Sequence, residues 1–310
     1  LTLSGFNQYT GNTTVSNGTL RLNYTGGGTI PSSNSITING GILRVSTDQT
    51  INNLTLTSGS LIVDAGATLT ITGTYTTGSG FIQNNGTIEM KGSALQSFPG
   101  VTVTVTSMNN LIVNNNFGVN LNKSLNVGGV LTLTAGTFTV GANTLTINNP
   151  IAGTPNNLSA NNTSSVTIAG TAAGVDLPSS VSQLNNFTIS NTVGTYLQGN
   201  LNVGGTMFIS AAAGTVEADF SVTLNGGNLT MQGGELKLGK NGVVLPELTG
   251  LYNLTGGTVT FDGVGIASDA QTVRPVNYFN LTSSANGGDR ILSSTGTIGI
   301  ANVFTPAIAT

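Results

Sequence analysis

Short runs in which apolar residues alternate with threonine occur along the whole chain. Clear examples are the segments 68–72, 101–105, 130–134, 144–147 and 258–261. Because successive side chains of a β-strand point to opposite faces, each run predicts a strand with one buried and one solvent-facing side. No helical spacing of apolar residues extends over a useful length. The pattern therefore predicts an all-β chain with strands of about four to six residues.

Glycine and asparagine separate the predicted strands. Asn-Gly or Gly-Gly pairs stand at positions 17–18, 39–40, 85–86, 225–226 and 233–234. Glycine supplies the positive φ angles that tight turns and corners need. Short strands joined in this way are compatible with a sandwich, a barrel or a solenoid.

Internal repetition distinguishes among these three folds. Two short motifs, Asn109-Asn110-Leu111 and Leu125-Asn126-Val127-Gly128-Gly129, recur at 185–187, with Phe in place of Leu, and at 201–205. Both are shifted by the same number of residues. Weaker matches to the first motif occur at 52–54 and 279–281. A strand about every 10 residues and a glycine-linked strand pair about every 20 fit the successive coils of a solenoid. We predict an all-β, right-handed parallel β-helix, that is a β-solenoid, with roughly 14 to 16 coils.

The predicted organisation is one continuous solenoid over residues 1–310. It contains N-terminal coils at 1–108 and long repeats at 109–184, 185–278 and 279–310. A rise of about 4.8 Å per coil would make a rod roughly 70 Å long, with Val, Ile and Leu in inner columns and Thr and Asn outside. Residues 1–3 already have a strand pattern, and 307–310 stop in mid-repeat. We expect the stack to continue, preferably into further repeats of the same polypeptide and otherwise end to end with other copies.

The amino-acid composition excludes most catalytic mechanisms. Of 310 residues only 6% are charged, and His, Cys and Trp are absent. Ser-His-Asp triads, cysteine nucleophiles, zinc sites with thiolate or imidazole ligands and haem ligation are therefore excluded, and we expect no cofactor. The net charge of −3 comes with eight scattered basic residues, which argues against nucleic-acid binding. No apolar stretch is long enough for a transmembrane helix.

The closest pair of carboxylates is the candidate site. Glu217 and Asp219 would share one face of a strand. They could act as general acid and base, or form half of a Ca²⁺ site completed by Asp176 or Glu235 from a neighbouring coil. We favour a solvated polar face instead, because no aromatic cluster and no basic residue accompanies the pair. The expected set of catalytic, cofactor-binding and metal-binding residues is therefore empty, with Glu217 and Asp219 as weak metal candidates.

Other candidate residues have simple structural interpretations. Lys237 and Lys240 flank Gly239 and are expected to solubilise a turn. Tyrosines are the natural groups for stacking on surface glycans, although half-buried positions on a solenoid face are favoured for them. The six tyrosines are Tyr9, Tyr24, Tyr75, Tyr196, Tyr252 and Tyr278.

The segment 1–22 resembles the autotransporter-associated β-strand repeat of bacterial passenger domains. The resemblance rests on Tyr-Thr-Gly at 9–11, Thr-x-Val at 13–15 and Gly-Thr-Leu at 18–20. The rest of the chain, with Asn-Asn-Leu-Thr words and the closing segment 296–306, is similar to the repeat regions of large secreted adhesins of Bacteroidota. No membrane-barrel translocator and no C-terminal sorting domain is visible in the sequence.

These resemblances imply a β-solenoid at the cell surface, exported across the outer membrane, often by type IX secretion. Adhesion, matrix formation and gliding are the functions that such families imply. We expect an extracellular structural or adhesive segment, acting as a stalk, a matrix or filament component or an adhesin, and not an enzyme. The alternative is a β-helix that acts on polysaccharides, as a lyase or glycoside hydrolase, or a carbohydrate-binding module.

Overall fold

The computed structural model describes residues 1–26, 28–284 and 287–306, and its architecture is all-β. Strands make up 54% of it and helices 2%, the latter as two 3₁₀ turns at Pro155–Asn157 and Ala267–Asp269. No helix in the described part is both long and apolar enough to cross a bilayer. The chain divides into two compact units, residues 1–147 with 151–159 and residues 148–150 with 160–310. The predicted division into four segments stays a prediction.

The first unit contains eighteen strands among its described residues. They are β1 (Thr2–Leu3), β2 (Thr13–Val15), β3 (Thr19–Leu22), β4 (Ile36–Val45), β5 (Gln49–Ile51), β6 (Leu54–Val63), β7 (Thr68–Ile71), β8 (Tyr75–Thr77), β9 (Gly80–Met90), β10 (Gln96–Phe98), β11 (Val103–Asn114), β12 (Val119–Leu121), β13 (Leu125–Val127), β14 (Leu131–Ala135), β15 (Phe138–Thr139), β16 (Thr144–Ile147), β17 (Ala152–Gly153) and β18 (Leu158–Ser159).

The second unit contains fourteen strands in its described part. They are β19 (Ser165–Ile168), β20 (Gln183–Leu184), β21 (Asn186–Ile189), β22 (Gly194–Tyr196), β23 (Leu201–Ile209), β24 (Thr215–Ala218), β25 (Leu224–Leu238), β26 (Val244–Leu245), β27 (Glu247–Leu248), β28 (Tyr252–Phe261), β29 (Gln271–Val273), β30 (Asn277–Ser283), β31 (Arg290–Leu292) and β32 (Gly299–Thr305).

Each unit is a parallel stack of coils, which confirms the predicted β-solenoid. In the first unit Ile36 pairs with Leu54 and Leu54 pairs with Tyr75, both in parallel register. The coil from Leu54 to Tyr75 is slightly longer than the one before it, and both are close to the predicted spacing of a strand pair. Together the two units contain about 14 turns, within the predicted number. The coil length varies because loops of different size connect the strands.

The core of each unit is a set of columns that run from coil to coil. In the first unit Leu43, Leu61 and Ile82 are successive members of one column, and each is at most 1% exposed. Threonines on the other face of the same strands remain partly accessible. This alternation is what the apolar-threonine pattern predicts.

Several strands are longer than the predicted ones. β25 has 15 residues and continues through the Asn-Gly and Gly-Gly pairs at 225–226 and 233–234. Gly226 and Gly234, with φ of 125° and 64°, bend this strand while it keeps pairing with its neighbours. The expected length was wrong because these glycine pairs form corners inside a strand and do not end it.

The segment 101–105 begins as a turn. Gly100 has a φ of 111° and its carbonyl accepts a hydrogen bond from Val103 N at 3.1 Å. The strand starts only at Val103, and Val101 is left 68% exposed.

The repeated Asn-Asn motifs connect one coil to the next through hydrogen bonds. The second asparagine of each motif accepts a hydrogen bond, through Oδ1, from the backbone N–H that follows a glycine in the next coil. The distances are 2.7 Å from Thr74 to Asn53, 2.8 Å from Val130 to Asn110 and 3.0 Å from Thr206 to Asn186. Each motif therefore satisfies a backbone donor at a corner.

The last described coil differs from the others in its exposure. Five apolar residues of β31 and β32 are between 37% and 65% exposed, namely Ile291, Leu292, Ile300, Val303 and Phe304. The closing segment 307–310, which was expected to stop in mid-repeat, lies outside the described residues.

Candidate functional site

The coil register assembles a charged cluster in the second unit. Tyr196, Glu217 and Lys237 occupy corresponding positions on the paired strands β22, β24 and β25. Lys237 Nζ lies 3.1 Å from Glu217 Oε1 and 2.8 Å from Asp262 Oδ2. We call Tyr196, Glu217, Asp219, Lys237 and Asp262 the Lys237 cluster. Its carboxylates and ammonium alternate in sign from coil to coil, which removes the repulsion of stacked like charges.

Glu217 lies on β24 and Asp219 directly follows the last residue of this strand, so the two do not share a strand face, but both line one small cleft of about 140 Å³. Their carboxylates have different partners. Asp219 Oδ2 accepts a hydrogen bond from the Tyr196 hydroxyl at 2.9 Å, and its Oδ1 accepts one from Phe220 N at 2.6 Å. The hydrogen bond to Asp219 raises the pKa of the Tyr196 hydroxyl.

The two proposed metal-completing carboxylates have partners of their own. Asp176 Oδ2 accepts a hydrogen bond from Gln198 Nε2 at 2.9 Å. Glu235 accepts hydrogen bonds from the hydroxyls of Thr215 and Thr260 at 3.0 and 2.5 Å. Across residues 1–26, 28–284 and 287–306, no group of three or more Asp, Glu, His or Cys side chains is placed to hold a metal ion.

The expectation that no basic residue accompanies the carboxylate pair was wrong. Lys237 pairs with Glu217 on the next coil, so it is distant along the chain and adjacent in space. Its hydrogen bond to Asp262 is the main reason that its pKa lies well above the usual lysine value, against an opposing effect of burial. Lys237 is therefore a protonated ammonium at neutral pH and cannot serve as a general base.

The two lysines beside Gly239 do more than solubilise a turn. Lys240 Nζ lies 2.9 Å from Glu247 Oε1 and donates to the Thr223 hydroxyl at 2.8 Å. Both lysines thus form ion pairs: Lys237 bridges neighbouring coils, and Lys240 links the segment after β25 to Glu247 of β27. The expected solubilising role stays a prediction, and the ion pairs are an addition to it.

Several tyrosines are unavailable as a platform for sugars. Tyr75 and Tyr278 are buried, and their hydroxyls donate to the carbonyls of Pro99 and Arg274 at 2.8 and 2.9 Å. Tyr252 is half-buried and donates to the carbonyl of Leu248. Tyr9 is the most accessible, at 38%, and its hydroxyl lies 2.7 Å from the Thr13 hydroxyl.

The strongly exposed aromatic rings belong to phenylalanines that sequence analysis did not single out. Among the described residues, Phe6, Phe81, Phe117, Phe220 and Phe304 are each between 52% and 65% exposed. Phe6 lines a large cleft, of about 660 Å³. The other wall of this Phe6 cleft is the loop 28–33, and its floor contains Asp48, Thr50, Thr68 and Thr70.

A second large groove in the first unit has a different lining. Its volume is about 750 Å³, and asparagine, serine and threonine side chains near Asn85, Asn109 and Ser124 line it together with buried Met108 and Leu125. None of its described lining residues is aromatic.

Comparison with known proteins adds no relative: no protein-family model, no curated protein and no solved structure matches this chain.

Proposed function

We propose that this chain is a structural and adhesive segment of a bacterial surface protein, without catalytic activity. It would be exported across the outer membrane and act outside the cell, as a stalk, a matrix or filament component or an adhesin. The low content of charged residues and the resemblance of residues 1–22 to a passenger-domain repeat support this location. The parallel coil stack supports the structural role, because such solenoids offer long, regular surfaces.

The proposal rests mainly on the ion pairs and hydrogen bonds that the charged groups of the Lys237 cluster form with each other. Its ammonium bridges Glu217 and Asp262, and Asp219 is held by the Tyr196 hydroxyl. A pair of catalytic carboxylates needs one group that can give up and regain a proton at working pH. Here the partners of the cluster connect successive coils, which is a structural role.

The exposed apolar residues of the last described coil support assembly through stacking. β32 pairs with β30 on one side, and its apolar residues Val303 and Phe304 are 47% and 54% exposed. A strand edge of this kind is a template for further parallel pairing. We propose that further coils cover it, in the same polypeptide or in a second copy placed end to end.

Sedimentation velocity and electron microscopy of the isolated chain test the mode of stacking. Fibres or end-to-end pairs at high concentration, lost in Phe304→Asp, would support stacking between copies. Single particles at every concentration would contradict self-assembly and favour continuation within one polypeptide. Val101→Asp is the control, because Val101 is 68% exposed and lies far from the last coil in sequence.

A second candidate is an enzyme that acts on polysaccharides, and the convergence of Lys237, Glu217 and Asp262 favours it. Polysaccharide lyases and glycoside hydrolases use clustered carboxylates, often beside a basic residue. This candidate requires turnover of a uronic-acid polymer that is lost in Glu217→Gln or Asp219→Asn. The raised pKa of Lys237 argues against a lyase that would use this amine as its base.

A further inference from the structure

We propose that the Phe6 cleft binds a neutral oligosaccharide, with the Phe6 ring stacked against one sugar face. The proposal rests on the adhesive function proposed above and assigns a ligand class to it. Sugars present apolar C–H faces and a rim of hydroxyl groups. A site that recognises them therefore needs an accessible aromatic ring next to hydrogen-bonding groups.

The aromatic wall is held in place by its neighbour. Phe6 is 52% exposed, so its ring is available to a ligand. Asn7 directly follows it, and both the backbone N and the side-chain Nδ2 of Asn7 donate to the Thr29 carbonyl, at 3.0 and 3.2 Å. The ring therefore projects from a backbone segment that is bound to the loop wall, so little backbone entropy is lost when a ligand binds.

The loop wall is fixed to the floor by a buried glutamine. Gln49 is 2% exposed, and its Oε1 accepts hydrogen bonds from Thr29 N at 2.7 Å and Ile30 N at 3.2 Å. Its Nε2 donates to the Ile30 carbonyl at 3.0 Å. These bonds fix the position of the loop wall relative to the floor, so this part of the cleft is preformed.

The floor presents hydroxyls and one carboxylate. Thr50 and Thr70 pair in register on β5 and β7 and line the cleft. Thr70 is 9% exposed and its hydroxyl donates to Glu89 Oε2 at 2.8 Å, so the accessible hydroxyls of the floor are those of Thr50 and Thr68. Asp48 is exposed, and its Oδ1 accepts a hydrogen bond from Thr68 N at 2.8 Å. The other carboxylate oxygen of Asp48 accepts none from the described residues, so it can accept from sugar hydroxyls.

The size and charge of the cleft favour a neutral ligand. Its volume of about 660 Å³ lies within the range of roughly 300–1,000 Å³ typical of small-molecule sites. Asp48 is the charged residue in its lining, and none of the described lining residues is a lysine or an arginine. A uronic acid would meet this carboxylate without a compensating cation, whereas a neutral sugar can donate hydrogen bonds to it.

The test is isothermal titration of the whole chain with four neutral hexasaccharides and one acidic one. The neutral probes are cellohexaose, xylohexaose, mannohexaose and the hexamer of N-acetylglucosamine, and hexagalacturonate is the acidic probe. We expect at least one neutral probe to bind. Phe6→Ala should weaken this binding about tenfold through loss of the stacking surface, and hexagalacturonate should bind at least about tenfold more weakly than that neutral probe.

Two variants separate the cleft from exposed aromatic surface in general. Phe6→Tyr keeps the ring and should bind within about twofold of the parent chain. Phe117→Ala removes a ring that is 64% exposed elsewhere in the first unit, and it should also leave binding unchanged. Thermal unfolding of each variant reports folding, and Phe6→Ala should unfold as the parent does because its ring lies outside the core.

Absence of binding by all four neutral probes overturns the proposal, as does equal binding by Phe6→Ala and Phe117→Ala. Tighter binding of hexagalacturonate than of every neutral probe overturns the assignment of a neutral ligand. None of these results bears on coil stacking or on turnover, which are measured separately. Failure of the glycan site is therefore distinguishable from failure of the structural function.

Discussion

Leu281 and Phe304 pair in parallel register on β30 and β32, yet Leu281 is 3% exposed and Phe304 is 54% exposed. Both continue the inner column to which Val259 belongs, and Val259 is 1% exposed. The difference arises because β32 covers Leu281 and no described strand covers Phe304. In this fold a core position is completed by the next coil.

Truncating these two side chains should therefore have unequal effects on stability. Leu281→Ala removes a buried side chain from a packed column and should lower the free energy of unfolding by about 2–4 kcal/mol. Phe304→Ala should lower it by less than about 1 kcal/mol, since little buried area is lost. Equilibrium denaturation at low protein concentration measures both. Equal losses would show that Phe304 is covered in solution, and a concentration series would then identify the cover as a second copy.

Adjacent glycines at a coil corner should differ in their tolerance of alanine. A Cβ on Gly205 would lie 2.6 Å from Asn186 Oδ1 and 2.8 Å from the Asn185 carbonyl oxygen, whereas on Gly204 the nearest atom is 3.8 Å away. Gly205→Ala should therefore cost about 1–3 kcal/mol and weaken the hydrogen bond from Thr206 to Asn186.

Gly204→Ala is the matched control, because both substitutions restrict the unfolded chain alike. We expect it to change the free energy of unfolding by no more than about 0.5 kcal/mol. Thermal or urea unfolding of the two variants gives the comparison, and similar losses for both would contradict the corner geometry.

Stability should fall in alkaline solution because of buried tyrosines. Burial raises the pKa of Tyr252 to about 12 and raises the pKa values of Tyr75 and Tyr278 as well. An unfolded tyrosine ionises near pH 10, so above about this pH the unfolded chain binds fewer protons than the folded chain. The stabilising contribution is complete below about pH 10 and is lost as the pH rises through about 12.

Urea unfolding at a series of pH values, combined with phenolate absorbance, measures this loss. Tyr252→Phe should flatten the decline, since it removes one of the groups that ionises only on unfolding. A parent chain whose stability is constant up to pH 12 would contradict the burial of these hydroxyls.

The Lys237 cluster should contribute to stability through coupling between its members. Lys237 and Asp262 side chains are 30% and 15% exposed, so the coupling energy should be about 0.2–1 kcal/mol. A double-mutant cycle of Lys237→Met and Asp262→Asn, followed by urea unfolding, isolates this value. The coupling should decrease with added salt. If the losses of stability in the two single variants simply add up in the double variant, the structural role assigned to this ion pair is contradicted.

The fold could be predicted from the sequence because its period is short and local. Alternation of apolar residues with threonine marks each strand, and the recurring motifs at 109–111 and 185–187 mark equivalent corners. The strand lengths could not be predicted in the same way. Glycine pairs such as 225–226 bend the backbone and shift the pairing register without ending the strand, and a pattern that treats glycine as a strand end misses this.

Only part of the candidate site could be predicted from the sequence. Glu217 and Asp219 were found because they lie two residues apart in the sequence. Lys237 was missed because its neighbour in space is one coil away, although a search at the spacing of one coil would have found it. The exposure of Phe6 left no such signal, because an isolated phenylalanine near a strand has the same pattern whether it enters the core or lines a cleft.

Incubation of the whole chain with one polymer at a time distinguishes an adhesive solenoid from an enzyme most directly. Insoluble cellulose, insoluble chitin and soluble polygalacturonate are each mixed with the parent chain, Phe6→Ala or Glu217→Gln. Two quantities are measured in the same samples. The first is the protein retained on each of the two insoluble polymers. The second is the release of reducing ends or unsaturated products from each of the three polymers. We predict retention on a neutral polymer that falls in Phe6→Ala, with product release no higher than in a protein-free control. Release above that control which disappears in Glu217→Gln would contradict the proposed function.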